Sequence, residues 1–142
     1  MAKATTTDLF KCSRSEFFKI ISDYEKYPEF LQEVKSCKVI KVDGTRKLVE
    51  FQVQLIKSFK YCLWMNEVEN QSIDWEFASG DLFKSNSGSW KLQDEAGKCR
   101  ATYSLDVGFT MFVPGPIANT LVNVNLPNMM SSYHKRVGLL HG

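Results

Sequence analysis

Residues 36–109 repeat one pattern: apolar and polar side chains alternate, segment after segment, with only short polar turns between. A period of two sends successive side chains to opposite faces of a strand, so each segment is dry on one side and wet on the other. The clearest is "KLVEFQVQLI" (47–56), with Val49, Phe51, Val53 and Leu55 on one face and Glu50, Gln52 and Gln54 on the other. "SCKVIKV" (36–42) precedes it across Asp43-Gly44, a hairpin signal. "FKYCLWMNEVE" (59–69), "SIDWEFA" (72–78), "FKSNSGSWKLQ" (83–93) and "CRATYSLDVGF" (99–109) continue the series, the last after a turn at Glu95-Ala96-Gly97. Together with a threonine-rich first strand in 3–11, they predict a seven-stranded antiparallel meander.

A sheet with one dry face needs a cover, and the chain offers two. In "CSRSEFFKIISDY" (12–24), Ser13 and Glu16 form a capping box, Cys12 and Phe17 suit its hydrophobic staple, and Phe17, Phe18, Ile20 and Ile21 make an apolar side. A helix is expected from about 14 to 24. Pro28 disfavours helical geometry at Tyr27 and suits the start of a second short helix, 28–33. The other cover is the C-terminal segment 113–140, punctuated by Pro114-Gly115-Pro116. Ile117, Leu121 and Val124 share one helical face; Leu126, Met129, Met130, Tyr133 and Val137 share another, roughly 150° away. With Pro127 between them, a kink is expected near Asn125–Pro127. His134 falls off the second face and is expected on the solvent side.

Several function classes lose support. The 18 basic residues are scattered among 16 acidic ones, with no basic run of the kind that marks nucleic-acid binding. Lys35, Lys38, Lys41, Lys57 and Lys60 read as a solvated outer face; a weak contact with membrane headgroups or a ribosome is the alternative. No apolar stretch reaches membrane-spanning length, and the first 20 residues lack signal-peptide order. Cys12, Cys37, Cys62 and Cys99 have neither zinc nor disulfide spacing and read as free thiols of a reducing compartment, so a cytoplasmic location is expected. His134 and His141 assemble no metal cluster, and Gly80 and Gly88 make no phosphate loop. No metal and no cofactor are expected.

The dry face is rich in aromatics: Phe51, Phe59, Tyr61, Trp75, Phe77, Trp90, Tyr103 and Phe109. Such residues fill cores, and they also line apolar ligand cavities with a few polar handles. The order strand, two helices, six strands, long helix resembles the helix-grip fold of the START and polyketide cyclase/dehydrase (SRPBCC) superfamily. The wording is nearest the coenzyme Q-binding and ribosome-association-toxin-like branch. There a first helix runs into a D-x-E-x-Y-P-x-F-L corner, here "DYEKYPEFL" (23–31). A G-x-F-K…W-x-F/L strand matches "GDLFKSNSGSWKL" (80–92), one residue longer before the Phe, and "YSLDVGF" (103–109) matches the alternating strand that follows. Where the coenzyme Q-binding proteins continue the corner with Pro-Trp-Cys, this chain has Gln32-Glu33-Val34.

The resemblance covers roughly 4–138 and implies one α+β domain over 1–142: a curved seven-stranded antiparallel sheet (β-α-α-β6-α) gripping a long C-terminal helix kinked near Pro127. It also implies a cavity between sheet and helix that holds an apolar small molecule such as a lipid, prenyl quinone or polyketide-like compound. Tyr24, Tyr27, Phe30 and Leu31 of the corner would then face the sheet end, and Glu25, Lys26 and Glu29 water. The expected pocket residues are Phe51, Phe59, Tyr61, Trp75, Phe77, Trp90, Tyr103, Leu105, Met129, Met130 and Tyr133, with the methionines and Tyr133 as a flexible gate. A carrier is the primary reading. The alternatives are a cyclase or dehydratase using Tyr61 or Tyr103 as acid, and an interaction module for a ribosome or protein. Against catalysis, Glu50, Asp74, Glu76 and Asp106 all fall on the wet face, leaving the tyrosines without a partner base.

Overall fold

The computed structural model describes residues 2–54, 58–110, 115–123 and 125–142. Strand β1 (Ala2–Phe10) leads into helix α1 (Arg14–Ser22) and a short 3-10 helix, Tyr24–Glu29. Six strands follow: β2 (Val34–Asp43), β3 (Arg46–Gln54), β4 (Ser58–Val68), β5 (Ser72–Gly80), β6 (Phe83–Glu95) and β7 (Lys98–Phe109). Helices α2 (Gly115–Asn123) and α3 (Asn125–His141) close the order. All pairings are antiparallel, in the order β1-β7-β6-β5-β4-β3-β2, so β1 joins the end of the meander beside β7 and the sheet has β1 and β2 as its edges.

The alternation decides which face is dry. Val49, Phe51 and Val53 of β3 are buried, as are Phe59, Leu63 and Met65 of β4 and Cys99, Ala101, Tyr103 and Val107 of β7. Leu55 and Lys57 lie outside the described residues. The wet face is laced with exposed ion pairs, Arg46–Glu76 at 3.1 Å and Lys91–Asp74 at 3.0 Å, which use two of the carboxylates that the sequence places there. The β6–β7 turn places Ala96 (φ 53°) and Gly97 (φ 83°) in the left-handed region, the geometry of a two-residue hairpin with matching twist.

Helix α1 begins where the capping box puts it. The Ser13 hydroxyl accepts from the Glu16 amide at 3.1 Å, and a Glu16 carboxylate oxygen accepts from the Ser13 amide at 2.9 Å. That backbone bond is the main reason the Glu16 carboxyl is held below its ordinary range. Ser13→Ala should lower stability by about 1 kcal/mol, read from the urea midpoint at unchanged slope.

The corner differs in detail from the expectation of a second helix at 28–33. The helical turn lies earlier, at Tyr24–Glu29, with Pro28 inside it rather than at its start. The i→i+3 bonds, Lys26 amide to the Asp23 carbonyl and Phe30 amide to the Tyr27 carbonyl, fall on either side of Pro28, so the turn is closed without an N–H at that position. Tyr24, Tyr27 and Leu31 are buried while Glu25, Lys26 and Glu29 are exposed. The Tyr24 hydroxyl donates to Glu67 at 2.7 Å, and Glu67 also meets Lys47 at 3.1 Å, which ties the corner to the sheet.

Met130, Tyr133 and Val137 form the buried side of α3. Tyr133 is the centre of the grip, packing on Phe17 of α1 (6.0 Å between centroids), Phe30 of the corner (5.2 Å) and Trp90 of the sheet (5.2 Å). Polar moorings flank it: Arg136 donates to Glu29 at 3.0 Å and lies over Phe30, and His141 meets Glu16 at 3.1 Å. His134 is exposed on the solvent side, as expected, and makes contacts there that the helical angle does not show. It donates to Asp8 at 2.7 Å and stacks on Phe10 with 4.2 Å between centroids. Its helical angle does turn it away from the concave centre, but β1 runs along that flank and receives it. Helix α2 ends at Asn123 and α3 begins at Asn125, so the described helix breaks just before the expected kink near Asn125–Pro127, and Pro127 itself lies in the first turn of α3; Val124 and the side chains of Ile117 and Leu121 lie outside the described residues.

All four cysteines are free thiols, three of them buried. Burial pushes the Cys12 thiol up to about 11 and those of Cys37 and Cys99 up to about 12. Unfolding returns each toward 9.0, so above that pH the native state keeps protons that the unfolded state has lost. This contribution is complete below pH 9 and disappears as the pH rises through 11 to 12. The denaturation midpoint should therefore fall between about pH 8 and about pH 10.5, and the fall should shrink in Cys37→Ala/Cys99→Ala.

Candidate functional site

Between the concave face and α3 lie two adjoining lobes of open space, each of about 150 Å³. Glu33, Val53, Tyr61, Asn86, Tyr103, Leu105 and Met129 border both. One lobe runs toward Leu82, Phe83, Val107, Phe109 and the start of α3 at Asn125 and Leu126. The other runs under the corner, against Tyr27, Leu31, Phe51, Trp75, Trp90 and Tyr133.

Eight of the eleven residues expected from the sequence meet here: Phe51, Tyr61, Trp75, Trp90, Tyr103, Leu105, Met129 and Tyr133. Phe59, Phe77 and Met130 line neither lobe. Phe59 is buried and Phe77 half-buried against the core. Met130 turns to the β1 side of α3, where it borders an outer groove with Thr6, Asp8 and His134. Of the methionine gate, only Met129 stands at the cavity.

The aromatic walls are held by one another. Phe51 and Tyr61 stack at 5.2 Å, Tyr61 meets Phe83 edge-on at 4.9 Å, and Tyr103 packs between Trp75 (5.4 Å) and Trp90 (4.9 Å). Two glycines make this possible. A Cβ on Gly88 would strike the Trp75 indole and the Ser104 carbonyl, so the indole lies across bare backbone. Gly80 (φ 135°) takes a conformation closed to other residues and lets Tyr61 come against its backbone.

The residues missed from the sequence are mostly further apolar members of the same faces, such as Val53, Leu63 and Val107, together with a few polar or irregular ones. Asn86 is only 6% exposed, and its Oδ1 accepts from the Trp75 indole N–H at 3.1 Å. Strand parity was a signal for it, since Asn86 shares a face with Gly88 and Trp90. Phe83 breaks that parity. A bulge between Phe83 and Ser85 brings Phe83 to the same inward face as Asn86. Glu33 carries no periodicity signal. It sits in the link between corner and β2, where its carbonyl accepts from the Gln54 amide at 2.8 Å.

Chemically, the cavity is an apolar enclosure with phenols. Burial, first of all, raises the Tyr61, Tyr103 and Tyr133 hydroxyls well above their ordinary range, with the Glu33 charge adding to it. They are neutral donors at any physiological pH. No group of acids, histidines or cysteines among the described residues could hold a metal. No described helix is long and apolar enough to cross a membrane.

The family model for polyketide cyclase / dehydrase and lipid transport matches residues 11–132, from the end of β1 through most of α3. The chain belongs to this family. Solved structures share its fold. A START superfamily protein from Mycobacterium smegmatis superimposes with a TM-score of 0.84 at 21% identity, over 97% of this chain and 98% of that one. The Zhui aromatase/cyclase from Streptomyces sp. R1128 gives 0.84 at 9% identity, over 96% and 93%. A STAR-related lipid transfer protein fragment from Xanthomonas axonopodis gives 0.79 at 12% identity, over 95% and 85%. Sequence comparison with curated proteins gives no match. At these identities the structural likeness establishes the helix-grip fold, and the family includes both lipid transport and ring-forming members.

Proposed function

We propose that the chain binds and carries a hydrophobic small molecule in the hollow between its concave sheet and α3. The observation that carries this reading is the pair of adjoining lobes walled by Phe51, Tyr61, Trp75, Trp90, Tyr103 and Met129. Well-packed interiors contain few voids larger than a water molecule. A 150 Å³ space with apolar walls is large enough to take a ring compound. The fold's relatives include a named lipid transfer protein, which supports the same reading. Native mass spectrometry of the purified protein, with titration of an apolar fluorescent dye, tests it. One equivalent of bound small molecule or dye is expected; neither a co-purifying ligand nor dye binding would overturn it.

A second reading is favoured by one residue. Glu33 places a carboxylate on a wall that the strand pattern leaves without one, alongside Tyr61 and Tyr103. A base and a neutral phenol across one cavity are the pair that a cyclisation or dehydration needs. On this reading Glu33→Gln keeps dye binding and loses turnover of a polyketide-like substrate. Full turnover by the variant rejects Glu33 as the base.

A further inference from the structure

Three polar groups on the cavity wall have no protein partner among the described residues. The first is the Asn86 amide. An indole N–H can only donate, so the atom that Asn86 turns to Trp75 is its oxygen, and its NH₂ is left over. The others are the Tyr61 and Tyr103 hydroxyls, whose rings are packed on both sides but whose oxygens make no hydrogen bond. None of the three is sealed in protein, since the one enclosed polar side-chain atom without a partner among the described residues is an oxygen of Asp106 on another face. All three residues border both lobes. The Tyr103 phenol lies near enough to Tyr61 to help raise its hydroxyl, after burial.

Buried polar groups are almost always paired, and leaving one unpaired costs on the order of 1–3 kcal/mol. The wall also carries the acceptor Glu33, but none of the three donors is hydrogen-bonded to it, so all three are open to an acceptor that arrives with the ligand. A carbonyl oxygen has two lone pairs and no proton to place, which fits a wall of donors. A hydrocarbon would leave all three unmet.

We infer that the ligand is a carbonyl compound whose oxygen is held by the Asn86 amide and the Tyr61 and Tyr103 hydroxyls, with its ring or chain against the aromatic walls. This rests on the carrier reading and narrows it: the cavity selects a ketone over a hydrocarbon of the same shape.

A matched pair of probes tests this, 1-tetralone and tetralin, which differ by one carbonyl. Titration calorimetry on the wild-type protein should show 1-tetralone binding about tenfold more tightly than tetralin. In Tyr61→Phe/Tyr103→Phe that ratio should fall to within about threefold of unity. Thermal unfolding of the double variant should stay close to the wild-type temperature, because neither hydroxyl has a protein partner to lose. If the double variant fails to fold, the two single variants are read instead, and each should lose part of the ratio. Equal binding of both probes by the wild type overturns the inference, as does a ratio that survives loss of the phenols. If neither probe binds but an apolar dye does, the ketone site is wrong and the carrier reading stands. If nothing apolar binds at all, both fall.

Discussion

Phe17→Ala should lower the free energy of unfolding by about 3–5 kcal/mol, the largest stability loss expected from one truncation here. Phe17 is fully buried. It stacks on Phe10 of β1 with 4.3 Å between centroids, meets Trp90 of β6 edge-on at 5.3 Å, and touches Tyr133 of α3 at 6.0 Å. Truncation removes the ring where α1, strands β1 and β6 and the gripping helix meet, and these elements cannot close the space without giving up the His134–Asp8 and Arg136–Glu29 moorings. Against a domain stability of about 5–15 kcal/mol, that loss brings the protein close to unfolding at body temperature. Urea denaturation followed by tryptophan fluorescence reads it. A loss below about 1 kcal/mol would mean that α1 is not part of the grip.

Leu105→Trp should abolish uptake of an apolar dye, a loss of at least about 100-fold in affinity, while the melting temperature stays within a few degrees. Leu105 borders both lobes and is half-buried, so an indole in its place projects into existing space rather than into packed atoms. Its cross-strand partner is Gly88, over which the Trp75 indole already lies, so the added ring has one direction open to it, the hollow. The contrast between the two substitutions is diagnostic. Phe17 belongs to the packed part of the interior and Leu105 to the part left open. A dye that still binds Leu105→Trp with wild-type affinity would place the ligand elsewhere.

Much of this architecture is written in side-chain order. The alternation in 47–53 fixed which face of β3 is buried, and the same parity carries through Ile73, Trp75, Trp90, Tyr103 and Val107. The Ser13–Glu16 box marked the start of α1 to the residue. The aromatics of the corner were legible as a buried set because their charged neighbours fall between them. The errors share one cause, which is that a period tells which side a residue takes and not what stands opposite. Phe77 keeps its parity yet stops short of the cavity, beyond a shift in register between β4 and β5 near Cys62 and Leu63. Met130 lies on the apolar side of α3 as expected, but a neighbouring residue's turn of the helix sends Met129 to the hollow and Met130 to β1. His134 is exposed as expected, but its contacts with Asp8 and Phe10 of β1 could not be read from the helical angle.

By itself the amino-acid sequence determined a one-sided antiparallel sheet, its two helical covers and the aromatic character of the space between them. It could do so because periodicity and capping are local properties, set within a few residues along the chain. Only the tertiary structure decided that Glu33 joins the wall, that a bulge turns Phe83 inward beside Asn86, and that three donors there lack partners. Those facts depend on residues tens of positions apart arriving at one place, and hydrogen bonding is satisfied or left unsatisfied only once they have arrived.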